Sequence, residues 1–109
     1  MTIEEIQKKV DDWIKKYGVK YFSELTNMTL LTEEVGELAR HIARRYGEQN
    51  YKKETNSKKM IKEEIGDILF VLVCLSNQMG INLTSCFLQS INKKTTRDAK
   101  RHLSNRKIN

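Results

Sequence analysis

Apolar residues recur every three to four positions over most of the chain, the spacing that places side chains on one face of an α-helix. Proline is absent from the whole sequence, and long helices tolerate that composition well. Polar residues with short side chains, suited to capping, precede most of the periodic segments. The pattern predicts an all-α fold, a bundle of about four helices covering roughly residues 3–17, 23–46, 57–79 and 83–97.

The third predicted helix is apolar on nearly every side in its second half, from Ile68 to Leu75. A helix of that kind is buried on several sides. A chain of 109 residues has only a modest core of its own. We therefore expect the extra apolar side to face another subunit, so that oligomerisation completes the bundle.

The chain is predicted to form one domain, residues 1–97, followed by a basic and polar tail, residues 98–109. Its N-terminus lacks the pattern of a signal peptide, and its longest apolar run is too short to span a bilayer. Cys74 and Cys86 lie in helical apolar patterns and are interpreted as buried small residues, not as a disulfide. These features favour a cytoplasmic protein without a membrane partner.

Two stretches of eight residues, Leu31–Leu38 and Ile61–Ile68, share one pattern. Each holds an apolar residue, a Glu-Glu pair, an aliphatic residue, a glycine, a carboxylate and a second aliphatic residue. Positions three and four apart share a helical face, so each stretch predicts a stripe of core residues. The predicted stripes are Leu31, Val35 and Leu38 in the first copy, and Ile61, Ile65 and Ile68 in the second.

Carboxylates occupy matching positions beside the two stripes: Glu34 and Glu37 in the first copy, Glu64 and Asp67 in the second. If the two helices pack core to core, four like charges converge and repel one another unless a cation lies among them. The alternative is a solvated helix face, the usual place for glutamates. A glycine in the middle of each copy costs about 1 kcal/mol relative to alanine, which indicates close packing or room for a ligand.

Oxygen ligands of this kind suit Mg²⁺, Mn²⁺ or Ca²⁺. The loop pattern of an EF-hand is absent, and histidines and cysteines are too scarce for zinc. Mg²⁺ commonly shares its coordination shell with substrate phosphates. Lys93 and Arg97, one helical turn apart, are candidate phosphate contacts, although a solvated helix end explains them equally well.

The motifs Glu34-Val-Gly-Glu37, Glu64-Ile-Gly-Asp67 and Lys93-Lys-Thr-Thr-Arg97 resemble those of MazG-type nucleoside triphosphate pyrophosphohydrolases, of the all-α NTP pyrophosphatase superfamily. The resemblance extends over most of the chain, as in short single-domain members. It implies Mg²⁺-dependent hydrolysis of NTPs or dNTPs to the monophosphate and pyrophosphate, with Mn²⁺ as a possible replacement. The four acids would hold the metal, Lys93 and Arg97 would hold the polyphosphate, and the protein would be a homodimer or homotetramer in nucleotide-pool housecleaning.

Two other functions fit parts of the sequence. A catalytically silent helical oligomer that binds nucleotide or a protein partner has no need of four matched acids. A nucleic-acid binder would explain the net charge of +6, but no nucleic-acid recognition motif accompanies the charge, and no stable complex is expected. Aromatic residues near the first helix end are interpreted as core or as a stacking surface for a base, namely Trp13, Tyr17 and Tyr21.

Overall fold

The computed structural model describes residues 1–47 and 56–108, and every regular element in these ranges is helical. The predicted all-α fold is confirmed. Two π-helical segments, Ile14–Gly18 and Lys94–Asp98, continue the first and fourth helices. The α-helices are α1 (Ile3–Trp13), α2 (Glu24–Tyr46), α3 (Ser57–Gln78), α4 (Leu83–Lys93) and α5 (Ala99–Leu103).

Side-chain caps fix where the helices begin. Before α1, Thr2 and Glu5 form a capping box, in which the Glu5 N–H donates to Thr2 Oγ1 at 3.0 Å. The other three long helices each begin after a residue whose side-chain oxygen accepts a backbone N–H, which satisfies a donor that the first helical turn leaves free. These caps are Ser23, Asn56 and Asn82.

Helices α2 and α3 form an antiparallel pair that carries both copies of the repeated motif. Asn27, near the start of α2, donates from Nδ2 to Gln78 Oε1 at the end of α3, over 2.8 Å. At the other end, Arg45 Nη1 donates to Ser57 Oγ over 2.7 Å. The middle of each helix therefore faces the middle of the other, and the two motifs lie opposite each other.

Helix α1 packs across α3 and α4 packs against α1. The core at this crossing consists of Val10 and Ile14 from the α1 region with Val73 and Cys74 from α3. Val73 is completely buried. The second half of α3 is thus held by α2 on one side and by α1 on another.

The predicted core stripes are wrong at one position in each motif. Val35 and Ile65 are 47% and 53% exposed, whereas Glu34 and Glu64, one residue earlier, are partly buried. Spacings of three and of four residues both return to the same helical face, so the pattern alone does not distinguish them. The contact between α2 and α3 therefore includes the carboxylates, and Val35 and Ile65 face outward.

Apolar surface on α3 and on α4 is left uncovered in the part of the chain that the structure describes. It includes Leu69 and Leu72 on α3, 46% and 40% exposed, and Phe87 and Leu88 on α4, 56% and 60% exposed. The Cα radius of gyration is 17.6 Å, against about 13 Å for a compact domain of about 100 residues. An apolar area of this kind is typical of an interaction surface.

One of the two cysteines that were predicted to be buried is exposed. Cys74 is buried as expected, but Cys86 is exposed, because α4 packs against α1 with another face. The helical C-terminal segment continues to Leu103, past the domain end predicted at residue 97, and that boundary stays a prediction. In the described part of the chain, no single helix is long and apolar enough to cross a membrane.

Candidate metal centre

Three of the four predicted acids meet between α2 and α3. Glu34, Glu37 and Glu64 each bring a carboxylate oxygen into a group whose atoms lie within 4.8 Å of one another. Glu34 and Glu37 share a face of α2 because they are three residues apart. Glu64 reaches them from α3 because the antiparallel pairing sets the two motifs opposite each other.

Two oxygens of this group are buried and unpaired. Glu34 Oε2 and Glu64 Oε2 have no hydrogen-bond partner among the described residues. Buried charged oxygens in proteins are normally paired with a donor or a cation, because losing hydration without compensation is costly. Two such oxygens on facing helices, with a third carboxylate beside them, have the composition of a site for a hard divalent cation.

The same crowding changes the acidity of the group. When it is protonated, Glu64 can donate a hydrogen bond to Glu34, which raises the pKa of Glu64 to about 8, and burial and a similar bond to Glu37 add to the rise. When all three carboxylates are ionised, none of them can donate a hydrogen bond to another. A proton on Glu64 supplies the missing donor, and a divalent cation would relieve the same repulsion.

Asp67 lies outside the group of three. It is on the next turn of α3 after Glu64, and it is exposed. A carboxylate at that position is available to a bound ligand but is not held by the α2–α3 contact. Its role as a metal ligand therefore stays a prediction.

Lys93 and Arg97 are also exposed, at the end of α4 and in the π-helical segment that follows. Arg97 Nε lies 3.5 Å from Asp98 Oδ1, and the ion pairs of the described residues do not join either cation to the carboxylate group. Helix α4 packs against α1, not against the α2–α3 contact. Their role in binding phosphate stays a prediction.

Close packing among the described residues does not explain the glycines of the two motifs. A Cβ atom added at Gly36 or Gly66 would meet nothing within 4 Å among its neighbours. Both positions face open space beside the acids. The second interpretation, room for a ligand or a partner, is the one that fits.

An apolar cavity of about 300 Å³ lies along the same helix pair. Its wall includes Leu30, one turn before Glu34 on α2, and Val71, seven residues after Glu64 on α3. Trp13 forms part of the wall and is 48% exposed, so it is not the core residue that its spacing suggested. The ring of Trp13 meets that of Phe70 edge-on, with centroids 5.5 Å apart.

The cavity contains a polar residue that the sequence reasoning did not single out. Asn27 is only 4% exposed and belongs to the wall of the cavity. One signal was present in the sequence: Asn27 is four residues before Leu31, in line with the apolar stripe of α2. A polar side chain in a core position needs a partner, and the partner lies 51 positions away in the sequence.

Comparison with known proteins places this architecture in one group. The family described as the MazG nucleotide pyrophosphohydrolase domain matches residues 22–102. The YpjD protein of Bacillus subtilis (strain 168) is 48% identical over 100 residues, which cover 92% of this chain and 89% of that protein. The crystal structure of YPJD from Bacillus subtilis superposes with a TM-score of 0.77 at 47% identity, over 85% of this chain and 94% of that one. A Bacillus-conserved MazG protein, described as a nucleotide pyrophosphohydrolase, gives a TM-score of 0.75 at 40% identity, over 92% and 96% of the two chains.

Proposed function

The chain belongs to the MazG nucleotide pyrophosphohydrolase domain family, and on that premise we propose that it hydrolyses nucleoside triphosphates between the α- and β-phosphates. The products are the nucleoside monophosphate and pyrophosphate. The substrates are NTPs or dNTPs, and the biological role is housecleaning of the nucleotide pool in the cytoplasm. The metal is Mg²⁺, which Mn²⁺ can replace.

One observation carries the proposal: two buried carboxylate oxygens on neighbouring helices, Glu34 Oε2 and Glu64 Oε2, have no hydrogen-bond partner among the described residues. A helical pair that served only as a scaffold would gain stability by replacing these acids with apolar residues. The sequence keeps them at matched positions of a repeated motif. The stability that these buried acids cost the metal-free protein is explained if they hold a cation in the active protein.

The residues take the following roles in this proposal. Glu34, Glu37 and Glu64 hold the metal from the α2–α3 contact, and Asp67 joins them from the exposed turn that follows Glu64. When bound, Mg²⁺ neutralises charge on phosphate oxygens and makes bound water more acidic. The carboxylates also exclude other anions from the pocket, so that triphosphate enters only as its metal complex.

Lys93 and Arg97 contact the polyphosphate in this proposal. Their exposure and the packing of α4 on α1 are compatible with a site that a second chain completes. The uncovered apolar face of α3 and α4 and the large radius of gyration support a homodimer or homotetramer. Sedimentation equilibrium tests this, and a monomer at micromolar concentration would contradict it.

The decisive experiment identifies the bond that is cleaved. The purified protein is incubated with a panel of NTPs and dNTPs and Mg²⁺ in water enriched in ¹⁸O, and the products are analysed by mass spectrometry. Attack at the α-phosphorus gives monophosphate that carries the label and pyrophosphate that does not. Label in pyrophosphate, or inorganic phosphate as the first product, would contradict the proposed chemistry. No turnover of any nucleotide would favour the silent oligomer.

A further inference from the structure

The apolar cavity and the carboxylate group lie along the same helix, α2. Asn27 is seven residues before Glu34 on α2, which is about 10 Å along the helix axis. That separation is comparable to the length of a nucleoside. A ligand whose phosphates lie at the carboxylates therefore reaches the cavity with its other end. Among the residues that enclose the cavity are Trp13, Ile14, Tyr21, Leu30, Phe70 and Val71.

The hydrogen bonds around Asn27 fix which end of its amide is available. Gln78 Nε2 donates to the Phe22 carbonyl oxygen at 2.8 Å and to Glu24 Oε1 at 3.0 Å. Both of those atoms can only accept, so Gln78 must present Oε1 to its other neighbour. Asn27 Nδ2 donates to that oxygen at 2.8 Å and to the Phe22 carbonyl at 3.4 Å.

Asn27 Oδ1 is therefore left as an acceptor on a side chain that is 96% buried, without a partner among the described residues. The partly buried hydroxyl of Tyr21, also in the cavity wall, is already engaged, because it donates to Asp11 Oδ1 at 2.7 Å and accepts from Asn77 Nδ2 at 3.1 Å. The Lys20 side chain is exposed at the rim. A residue of the cavity wall thus carries one acceptor of fixed orientation in mostly apolar surroundings.

We propose that this cavity binds the nucleobase of the substrate and that Asn27 is the residue that determines base specificity, by accepting a hydrogen bond from an exocyclic amino group. The proposal rests on the proposed function for the position of the phosphates. It assigns a preference for cytosine over uracil and for adenine over hypoxanthine.

The preference follows from the locked amide. An amino base places an N–H donor opposite Asn27 Oδ1, whereas the corresponding oxo base places a carbonyl oxygen there. Two acceptors facing each other in an apolar cavity lose the hydrogen bond and repel. An unconstrained asparagine could turn its amide over to suit the oxo base, but Gln78 holds it in one orientation. A site built around one hydrogen bond rejects the analogue that cannot make it.

The backbone at the rim of the cavity is unusual in a way that fits a binding site. The π-helical segment Ile14–Gly18 leads into Val19, whose φ of 70° and ψ of −55° are those of a classic γ-turn. The Lys20 N–H closes this turn on the Gly18 carbonyl at 2.8 Å. A β-branched residue with positive φ is strained, and such strain is found preferentially at functional sites.

The test uses Trp13, the one tryptophan of the chain, as a reporter inside the cavity wall. Its fluorescence is titrated with CMP, UMP, AMP and IMP at constant Mg²⁺, with correction for ligand absorbance. We expect CMP to bind at least about tenfold more tightly than UMP, and AMP at least about tenfold more tightly than IMP. Asn27→Leu should bring both ratios close to one.

Two further variants separate recognition from folding. Gln78→Met keeps the volume of the side chain but frees the Asn27 amide, and it should reduce both ratios to within about threefold. Thr29→Ala removes an exposed hydroxyl that donates to the Leu25 carbonyl on α2, and it should leave all four dissociation constants unchanged. If Asn27→Leu does not fold, Gln78→Met decides.

Equal affinities in the wild type, ratios that survive in a folded Asn27→Leu or in Gln78→Met, or the absence of any fluorescence change would each overturn the assignment. These results are distinct from failure of the proposed function. Pyrophosphate release with no effect of Asn27 on base preference would leave the enzyme in place and remove the base site. Selective binding of CMP without hydrolysis of CTP would support the base site and contradict the proposed enzymatic function.

Discussion

Helices α2 and α3 enclose two polar clusters, and the two are satisfied in opposite ways. At one end, Asn27 and Gln78 bind each other, and their remaining N–H groups donate to Phe22 and Glu24. In the middle, Glu34 and Glu64 each bury an oxygen that has no partner among the described residues. The first cluster is built around two neutral amides and is almost complete by itself, whereas the second consists of carboxylates and is incomplete.

The difference separates residues that specify the architecture from residues that serve a ligand. A satisfied buried network fixes the register of two helices, since any shift would leave its groups unpaired. An unsatisfied group of like charges destabilises the chain that carries it, and it persists where a ligand completes it. Among the described residues, the acceptor left on Asn27 is the one incomplete point of the first cluster, and Asn27 belongs to the wall of the cavity.

The largest expected effect comes from removing a charge from the incomplete cluster. Glu64→Gln keeps the size of the side chain but removes a metal ligand, and we expect the turnover number to fall by at least about 100-fold. Above pH 8, where Glu64 is ionised, the melting temperature of the metal-free variant should equal or exceed that of the wild type, because repulsion is relieved. Pyrophosphate release and thermal melts in EDTA measure the two quantities.

The matched control for that variant is Glu4→Gln, which removes an exposed carboxylate of α1. It should change the turnover number by less than about twofold, since exposed groups far from the chemistry contribute little. A Glu64→Gln protein that melts well below the wild type and retains its activity would show that Glu64 has a structural role instead.

Breaking the cluster of Asn27 and Gln78 should lower the stability of the fold to the same extent with and without metal. Gln78→Leu leaves the Asn27 amide and the Phe22 carbonyl with fewer partners, and we expect the free energy of unfolding to fall by about 1–3 kcal/mol. The loss should be equal with and without Mg²⁺, as denaturant titrations can measure. A loss that disappears when Mg²⁺ is added would mean that the two clusters are coupled.

The stability of the metal-free protein should depend on pH through Glu64, whose pKa is raised from 4.5 to about 8 by Glu34, by burial and by Glu37. A raised pKa means that the folded state binds the proton more tightly than the unfolded state does. This contribution is fully present below about pH 4.5 and is lost as the pH rises through 8. Melting temperatures from pH 4.5 to 9 in EDTA should show the loss, and Glu64→Gln should abolish this component. A wild-type profile identical to that of the variant would contradict the assignment.

The smallest expected effect concerns the glycines beside the acids. Gly36→Ala and Gly66→Ala add a Cβ that meets nothing within 4 Å, so each should stabilise its helix by up to about 1 kcal/mol. Gly80→Ala is the matched control, because Gly80 has a φ of 67° and alanine there should be destabilising. Denaturant titration compares the three. Destabilisation by Gly36→Ala would mean that a partner subunit fills the open space.

The helices and most of their starting points could be predicted from the sequence because caps and periodicity are local. Thr2 and Ser23 cap where their side chains suggested. Which face of each helix is buried could not be predicted, since spacings of three and of four residues both lead to the same face until a second helix packs against it. Val35 was therefore assigned to the core and Glu34 to its edge, the reverse of the structure.

The candidate site could be predicted in part because its acids lie in a repeated sequence motif. Matched acids at the same positions of two motifs predicted that four carboxylates would converge. Glu34, Glu37 and Glu64 do, whereas Asp67 lies outside the group. The orientation of Asp67 depends on which side of α3 is covered, which no local pattern contains. The pairing of Asn27 with Gln78 spans 51 positions and emerges only when α2 and α3 are antiparallel.

Direct measurement of metal binding tests whether the carboxylates between α2 and α3 hold a divalent cation. Isothermal titration calorimetry of Mg²⁺, and separately of Mn²⁺, is carried out above pH 8, where Glu64 is ionised. The wild type should bind the metal, and Glu64→Gln should bind it at least about tenfold more weakly while Glu4→Gln binds as the wild type does. Equal affinity in Glu64→Gln and wild type, or no binding by either, would contradict the account.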